Sequence, residues 1–464
     1  MTAKPFIERV RSFGARPALY TAESSQTYVE LGETIRRQQS RLDVAGIAPK
    51  ATVFLQGDYS FDNIALLLAL YQNGNIVALN TVEQQKEMAD KITAADPEFV
   101  IDASGVRARE PAGAPQPLIQ RLRDQSHAGL VLFSSGTTGR PKAMLHDLDN
   151  LADAYLARRP KQMNILLFLL FDHIGGINTL LSVLAMGAAA TLPHERTPES
   201  VCALVERRRV VVLPVSPTFL NLLFVSGVLD RYDLSSLRMI TYGTEPMPES
   251  LLHKLKRRFP KVKLHQTFGT SETGIINTAS RSSDSLFMKF DDAGIEYKIV
   301  DGELWLRSRR QILGYLNAAA RSESFTADGW FRTGDLVDQS EDGYLRIRGR
   351  SKELINVGGE KVFPAEVESV VLQLPFVRDC RVYGRPNAIT GQSVCADVVL
   401  AAPDEAARKA LLREIKSFAQ ANLDPYKVPT RVYAVEQIPY STRFKKTLPA
   451  DSVRQDSGEA SWNN

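Results

Sequence analysis

The segment Ser134-Ser135-Gly136-Thr137-Thr138-Gly139-Arg140-Pro141-Lys142 concentrates residue types that hold phosphate. Glycines let backbone N–H groups turn toward one anion, the hydroxyls add donors, and Lys142 adds positive charge. The spacing is G-x-x-G-x-x-K, with proline directly before the lysine. That differs from a Walker loop, which needs four residues between its first glycine and a Gly-Lys pair. A plain Ser/Gly hairpin shares the composition. The apolar run Leu130-Val131-Leu132-Phe133 predicts a buried strand that leads into the segment.

Four further segments gather reactive side chains, three of them around glycines. Gln266-Thr267-Phe268-Gly269-Thr270-Ser271-Glu272-Thr273-Gly274 offers an aromatic face, hydroxyls and one carboxylate. Asp328-Gly329-Trp330-Phe331-Arg332-Thr333-Gly334-Asp335-Leu336 places a carboxylate in what reads as a tight Gly-Asp turn. Arg348-Gly349-Arg350-Ser351-Lys352-Glu353-Leu354-Ile355-Asn356-Val357-Gly358-Gly359 is basic and ends in a glycine pair. Ile438-Pro439-Tyr440-Ser441-Thr442-Arg443-Phe444-Lys445-Lys446 presents two adjacent lysines. Taken singly, each also fits an ordinary turn, hairpin, linker or basic loop.

The elements that must position these segments follow an α/β pattern, with helical periods alternating with short β-branched runs and largely parallel sheets. Ser60 caps a predicted helix that buries Ile64, Leu67, Leu68 and Tyr71, and Gly74 stops it. A helix over 199–209 pairs with a strand over 210–213, and a helix over 248–259 with a strand over 262–264. The Pro-, Ala- and Gly-rich stretch 104–127 reads as a loop. From about Asp301 the texture turns to short β-rich pieces. After Arg350 a separate α+β unit begins, with a helix near 364–374, strands near 377–383 and 396–400, and a helix from Asp404 to about Leu423. The expected organisation is therefore a large α/β N-terminal domain over 1–350, with a small β-rich part, and an α+β C-terminal domain over 351–464.

At 44% hydrophobic and 24% charged, the 464-residue chain has an ordinary globular composition, which excludes a disordered protein. Its net charge of +4 is spread along the chain, so no nucleic-acid partner is indicated. The basic run 254–258 suits the end of a helix better than a polyanion site. The most apolar stretch, 165–192, is broken by Asp172, His173 and several glycines, so it reads as strand plus helix and not as a membrane span. Cys202, Cys380 and Cys395 form no C-x-x-C pair, and the first thirty residues lack a signal-peptide core. A cytoplasmic location is expected.

The order and spacing of the five segments, from about Pro17 to Lys446, resemble the adenylate-forming superfamily of acyl- and aryl-CoA ligases, adenylation domains and luciferases. The acyl-CoA ligase branch is the nearest, and the resemblance implies a large multi-layer N-terminal domain of packed α/β subdomains capped by a small mobile C-terminal domain, with the same boundary. The resemblance implies that a carboxylic acid reacts with ATP to give acyl-AMP and pyrophosphate, and that the acyl group then passes to a thiol. On that basis Ser134, Ser135, Gly136, Thr137, Thr138, Gly139 and Lys142 would hold the β- and γ-phosphates. Glu272 would ligate Mg²⁺, since a hard cation bridging phosphates takes oxygen ligands. Phe268, within Phe268-Gly269-Thr270-Ser271, would pack on adenine, with Gly243-Thr244-Glu245 along the other face. Asp335 would accept the ribose hydroxyls, with Arg350 beside it. Lys445 takes the slot of the mobile catalytic lysine, although Ser441 and Phe444 depart from the family's Pro-x-Thr-x-x-Gly-Lys pattern and Lys446 is the other candidate. Lys352 takes the position of the hinge, and Gly358 and Gly359 would line a pantetheine tunnel.

For the acid, the same resemblance places His173 near the substrate carboxylate and makes Ile174, Ile240, Tyr242, Thr267, Ile275 and Ile276 pocket neighbours. Amino-acid-activating members have an aspartate where this chain has Ile174, so an α-ammonium would be desolvated without a partner. A one-residue slip would put Asp172 there and reverse the inference. Tyr242 in place of a smaller residue points to a small or medium acyl or aryl acid. The acceptor is CoA or the phosphopantetheine of a separate carrier protein, and Glu360-Lys361-Val362-Phe363-Pro364 after the glycine pair favours CoA. The alternatives are an adenylation enzyme that loads a carrier protein, and a nucleotide-binding regulator without catalysis.

Overall fold

The computed structural model describes residues 4–81, 85–113, 116–135, 140–317, 324–401, 404–441, 446 and 461–463. Runs of alternating helix and β-branched strand build two seven-stranded sheets. In the first, the parallel strands Phe99–Asp102, Thr52–Gln56, Ile76–Asn80 and Gly129–Ser135 lie side by side. Pro141–Asp147 then adds antiparallel to the last of these. All of Ile76–Asn80 is buried, as expected of a parallel strand with both faces covered. In the second sheet, Lys263–Gln266, Met239–Tyr242, Val212–Val215, Asn164–Leu166, Ala189–Thr191 and Pro17–Tyr20 are all parallel. One large apolar core joins the two sheets through the helices Tyr28–Val44, Phe61–Gln72 and Ile174–Met186.

Local chemistry sets the ends of these helices. The Ser60 hydroxyl accepts from Asn63 N, and the following Gly74 takes a φ of +76° just beyond the C-terminus. Thr27 and Glu30 form a reciprocal capping box on Tyr28–Val44. The expected loop over 104–127 is replaced by a strand, Gly105–Ala108, and a helix, Pro117–Gln125. Pro117 opens that helix, where its missing N–H costs nothing, and Ile119 and Leu122 bury one narrow stripe. A stripe of two apolar residues was too short to stand out from the surrounding Pro and Ala.

The β-rich texture expected from about Asp301 begins earlier, at Thr278–Ser280, and forms a six-stranded antiparallel sheet that ends with Leu345–Arg350. Its small core is formed by Ile276, Leu304, Leu306, Val337 and Leu345. Beyond it, the strands Ile355–Val357, Val377–Asn387, Gly391–Leu400 and Arg431–Ala434 and the helices Pro364–Val371 and Glu405–Asn422 enclose a core of their own, which includes Ile355, Val382, Val398, Ile415 and Val432. This C-terminal domain rests on the helices Pro217–Val225 and Glu249–Arg258 of the N-terminal domain. Lys254 Nζ donates to Leu372 O at 2.8 Å across that boundary, and Ser250 N donates to Ser369 Oγ at 3.3 Å. Among the described residues, no helix is long and apolar enough to cross a membrane.

Candidate active site

Two neighbouring parallel strands of the second sheet, Met239–Tyr242 and Lys263–Gln266, end on the same side. They release Gly243-Thr244-Glu245 and Thr267-Phe268-Gly269 into one open cavity of about 570 Å³. The two segments touch. A Cβ on Gly243 would fall 2.6 Å from Thr267 Oγ1 and 2.7 Å from Thr267 O, so only glycine fits there. Thr244 is held at a φ of +73°, an unusual conformation for a β-branched residue and the kind of strain that collects at binding sites. The Glu245 carboxylate accepts from Thr218 N at 2.6 Å, in the first turn of Pro217–Val225, where the helix exposes positive partial charge. Phe268 is half-buried against Phe290, with ring centroids 5.6 Å apart, and it also lines the cavity.

Asp335 and Arg350 face this wall from the antiparallel sheet. They are register partners on the strands Phe331–Gln339 and Leu345–Arg350, with Arg350 Nε 3.3 Å from Asp335 Oδ1. Asp335 is buried, and its N–H donates to Thr333 Oγ1 at 2.9 Å. The expected Gly-Asp turn is instead part of a nine-residue strand. Gly334 takes a φ of +73° there, and the strand register shifts just after Leu336. That irregularity re-aims the carboxylate.

Lys142 lies at the start of Pro141–Asp147, paired in register with Ser134. The phosphate-type segment is therefore closed by an antiparallel hairpin, while Gly136, Thr137, Thr138 and Gly139 lie outside the described residues. Lys142 Nζ sits 5.6 Å above the centre of the Tyr315 ring, and Tyr315 OH donates to Glu272 Oε1 at 3.1 Å. Tyr315 thus joins the lysine to the one carboxylate of the 266–274 segment. Sequence reading missed it because its strand, Gly314–Tyr315, is two residues long and shows no periodicity. Thr270 and Thr273 share a hydroxyl hydrogen bond of 3.0 Å that fixes the turn carrying Ser271 and Glu272.

On the acid side, His173 caps the helix Ile174–Met186, with Nδ1 accepting from Gly175 N at 3.0 Å. A neutral ring therefore carries its proton on Nε2. Asp172 is buried and turned elsewhere, its Oδ2 accepting from Thr81 N at 3.2 Å. Ile174 belongs to the large core, and Ile275 packs against the same core from a strand next to that helix. The remaining expected neighbours separate. Ile240 and Tyr242 bury their side chains in a second core with Phe168 and Phe219, and Ile276 enters the core of the antiparallel sheet. Only Thr267 of that group lines the described cavity. Strand alternation is the cause: Ile240 and Tyr242 point to the helix-covered face of their sheet.

In the C-terminal domain, Lys352 is exposed in the short 3₁₀ turn Ser351–Glu353 and borders the cavity. Gly358 and Gly359 form an exposed turn with φ of +63° and +97°. Gly358 N donates to Thr390 O at 2.8 Å. Lys445 lies outside the described residues, whereas Lys446 borders the cavity with its Nζ 3.3 Å from Glu368 Oε2 and 3.4 Å from Asp379 Oδ1.

Residues 6–316 match the family model described as AMP-binding enzyme, and residues 366–445 match its C-terminal domain. The chain belongs to this family. It is an AMP-forming ligase of the acyl- and aryl-CoA ligase branch in the adenylate-forming superfamily. It is 28% identical to an indoleacetate–CoA ligase of Aromatoleum aromaticum, over 95% of each chain. It is 27% identical to a 2-succinylbenzoate–CoA ligase of Listeria monocytogenes, over 94% of this chain and 96% of the relative. Among solved structures, the amide bond synthetase McbA of Marinactinospora thermotolerans is similar with a TM-score of 0.74 and 25% identity, over 95% of this chain and 97% of that one. The o-succinylbenzoate CoA synthetase of Bacillus subtilis, solved with its acyl-adenylate, shares the fold at a TM-score of 0.78 and 21% identity, over 99% of each chain. In this AMP-binding enzyme Phe268, Gly243-Thr244-Glu245 and the Asp335–Arg350 pair border one cavity, and Lys446 lines another part of it.

Proposed function

We propose that the enzyme condenses an aryl or medium acyl acid with ATP, giving acyl-AMP and pyrophosphate, and then transfers the acyl group to CoA. The observation that carries this reading is the convergence of Phe268, Gly243-Thr244-Glu245 and the Asp335–Arg350 pair on a single cavity. Adenine would lie between Phe268 and the 243–245 backbone, with the ribose hydroxyls donating to Asp335. Lys142 and the 134–139 segment would hold the β- and γ-phosphates. Glu272, an oxygen donor next to Lys142 through Tyr315, suits Mg²⁺, which would neutralise phosphate charge when bound. Lys445 would offset the charge that gathers as the acid attacks the α-phosphate. Residues 1–350 would form the catalytic body and 351–464 the moving domain, hinged at Lys352, with Gly358 and Gly359 lining the acceptor path.

The aryl preference rests on the two relatives, which act on indoleacetate and 2-succinylbenzoate. The buried position of Tyr242 removes the earlier argument from its size. An α-amino acid is disfavoured because Asp172 is committed to Thr81 N and Ile174 is apolar and buried. Three buried, unpaired cysteines suit a reducing cytoplasm.

The test is acid-dependent exchange of labelled pyrophosphate into ATP across aryl, fatty and amino-acid pools, followed by CoA, a phosphopantetheinyl carrier protein or an amine as acceptor. Exchange with the aryl pool and turnover with CoA are expected. Exchange with amino acids alone would overturn the substrate reading, turnover only with carrier protein the acceptor reading, and nucleotide binding without any exchange would leave a regulator. Asp335→Ala should weaken ATP and AMP alike by about 10- to 100-fold in calorimetry, because both carry the ribose that the charged acceptor would bind. Unchanged AMP affinity would remove Asp335 from the nucleotide site.

A further inference from the structure

Lys446 is the described member of the Lys445-Lys446 pair, and its surroundings are not those of a lysine waiting for substrate. Its ammonium is enclosed by the Glu368 and Asp379 carboxylates and donates to Cys380 O. Burial acts to lower its pKa, but the two carboxylates outweigh burial and raise it. Tyr440 pairs with Lys446 as an antiparallel bridge, and its OH donates to Asp379 Oδ2. Two side chains from the tail thus converge on one carboxylate. That carboxylate also reaches across the domain boundary. Asn221 Nδ2, on the helix Pro217–Val225 of the N-terminal domain, donates to Asp379 Oδ1 at 3.1 Å. Asp379 is 3% exposed, and its Oδ1 also accepts from Cys380 N at 2.9 Å. Asn221 and Lys446 both border the nucleotide cavity.

We propose that Asn221, Asp379, Tyr440 and Lys446 form a positioning clamp that seats the C-terminal domain and its lysine tail on the nucleotide cavity for the adenylate-forming half-reaction. Lys446 acts here through Asp379 and Glu368 and does not touch the reacting atoms. The clamp rests on the reading above that Lys445 supplies the catalytic charge, since Lys446 follows it directly in the chain. Among the described hydrogen bonds of these four residues, those from Asn221 to Asp379 Oδ1 and Arg378 O cross to the N-terminal domain. Separation of the domains would break them and leave Asp379, Tyr440 and Lys446 together.

The clamp predicts a split between half-reactions. Asn221→Ala removes the hydrogen bonds to Asp379 Oδ1 and Arg378 O, Tyr440→Phe removes the one to Asp379 Oδ2, and neither leaves a buried charge unpaired, so they keep the test valid if Lys446→Met destabilises its domain. With the aryl acid that supports exchange, Asn221→Ala and Lys446→Met should lower the kcat of pyrophosphate exchange about 10-fold. The KM for ATP should stay within about twofold, and thioester formation from supplied acyl-AMP and CoA should be unchanged. Lys446→Arg should recover most of the exchange, because a guanidinium can also pair two carboxylates. Asn221→Ala combined with Tyr440→Phe should cost less than the product of the single effects, as for groups that act on one carboxylate. Equal loss in both half-reactions, or no loss from Asn221→Ala, would overturn the clamp. Retained exchange in Lys445→Ala, with none in Lys446→Arg, would instead overturn the assignment of Lys445.

Discussion

Lys445→Ala is expected to lower acid-dependent pyrophosphate exchange by about 10²- to 10³-fold, the scale set by loss of one preorganised electrostatic group in an active site. Thioester formation from supplied acyl-AMP should stay within about twofold of the parent enzyme. The asymmetry follows from charge. In the first half-reaction a carboxylate approaches a triphosphate, and negative charge accumulates where both meet. In the second, a thiol attacks an acyl-AMP whose leaving group is already formed, and that lysine has no comparable charge to offset. A side chain that is stronger in one transition state than in its ground state changes the rate of that step alone. Lys446 cannot supply this charge from where it lies, because Glu368 and Asp379 already neutralise it. Equal loss in both half-reactions would show that Lys445 supports the fold or the acceptor step instead. Full exchange in the variant would assign the role elsewhere.

The sequence was most legible where a function demands rare residue types at fixed spacing. Phe268, Asp335 and Arg350 are far apart in the chain, yet they border one cavity together with Gly243-Thr244-Glu245. Alternating helices and β-branched strands were equally plain, since a parallel strand covered on both faces must be apolar throughout. Side-chain direction was less legible. Ile240 and Tyr242 look like pocket residues by position, but alternation along Met239–Tyr242 turns both into the second core. Tyr315 was invisible because its partners, Lys142 and Glu272, come from two other segments that only the fold brings together. The same holds for Asp379, whose link to Asn221 spans the domain boundary. Gly334-Asp335 read as a turn because glycine before aspartate signals one, yet here a positive φ bends a strand without ending it.

Asp397→Ala is expected to destabilise the C-terminal domain by about 3–5 kcal/mol, the cost of leaving a buried charge without its partner. Arg381 and Asp397 are register partners on Val377–Asn387 and Gly391–Leu400, with side chains only 7% and 4% exposed. Tyr383 OH donates to the other Asp397 oxygen at 3.1 Å, so removal of the carboxylate takes an ion-pair partner from the buried guanidinium and a hydrogen bond from the phenol together. Hydrogen exchange on the 391–400 strand is the suitable readout, because a two-domain chain need not unfold in one step. The protected amides should exchange about 10²- to 10⁴-fold faster, on the same free-energy scale. Arg381→Met combined with Asp397→Leu should recover most of the protection, since a well-packed apolar pair often matches a buried ion pair. Arg381 also borders the cavity proposed to hold the nucleotide. If the apolar pair restores protection but pyrophosphate exchange stays low, the ion pair serves the site. If both recover, it serves the fold, and the domain's stability is independent of the chemistry it carries.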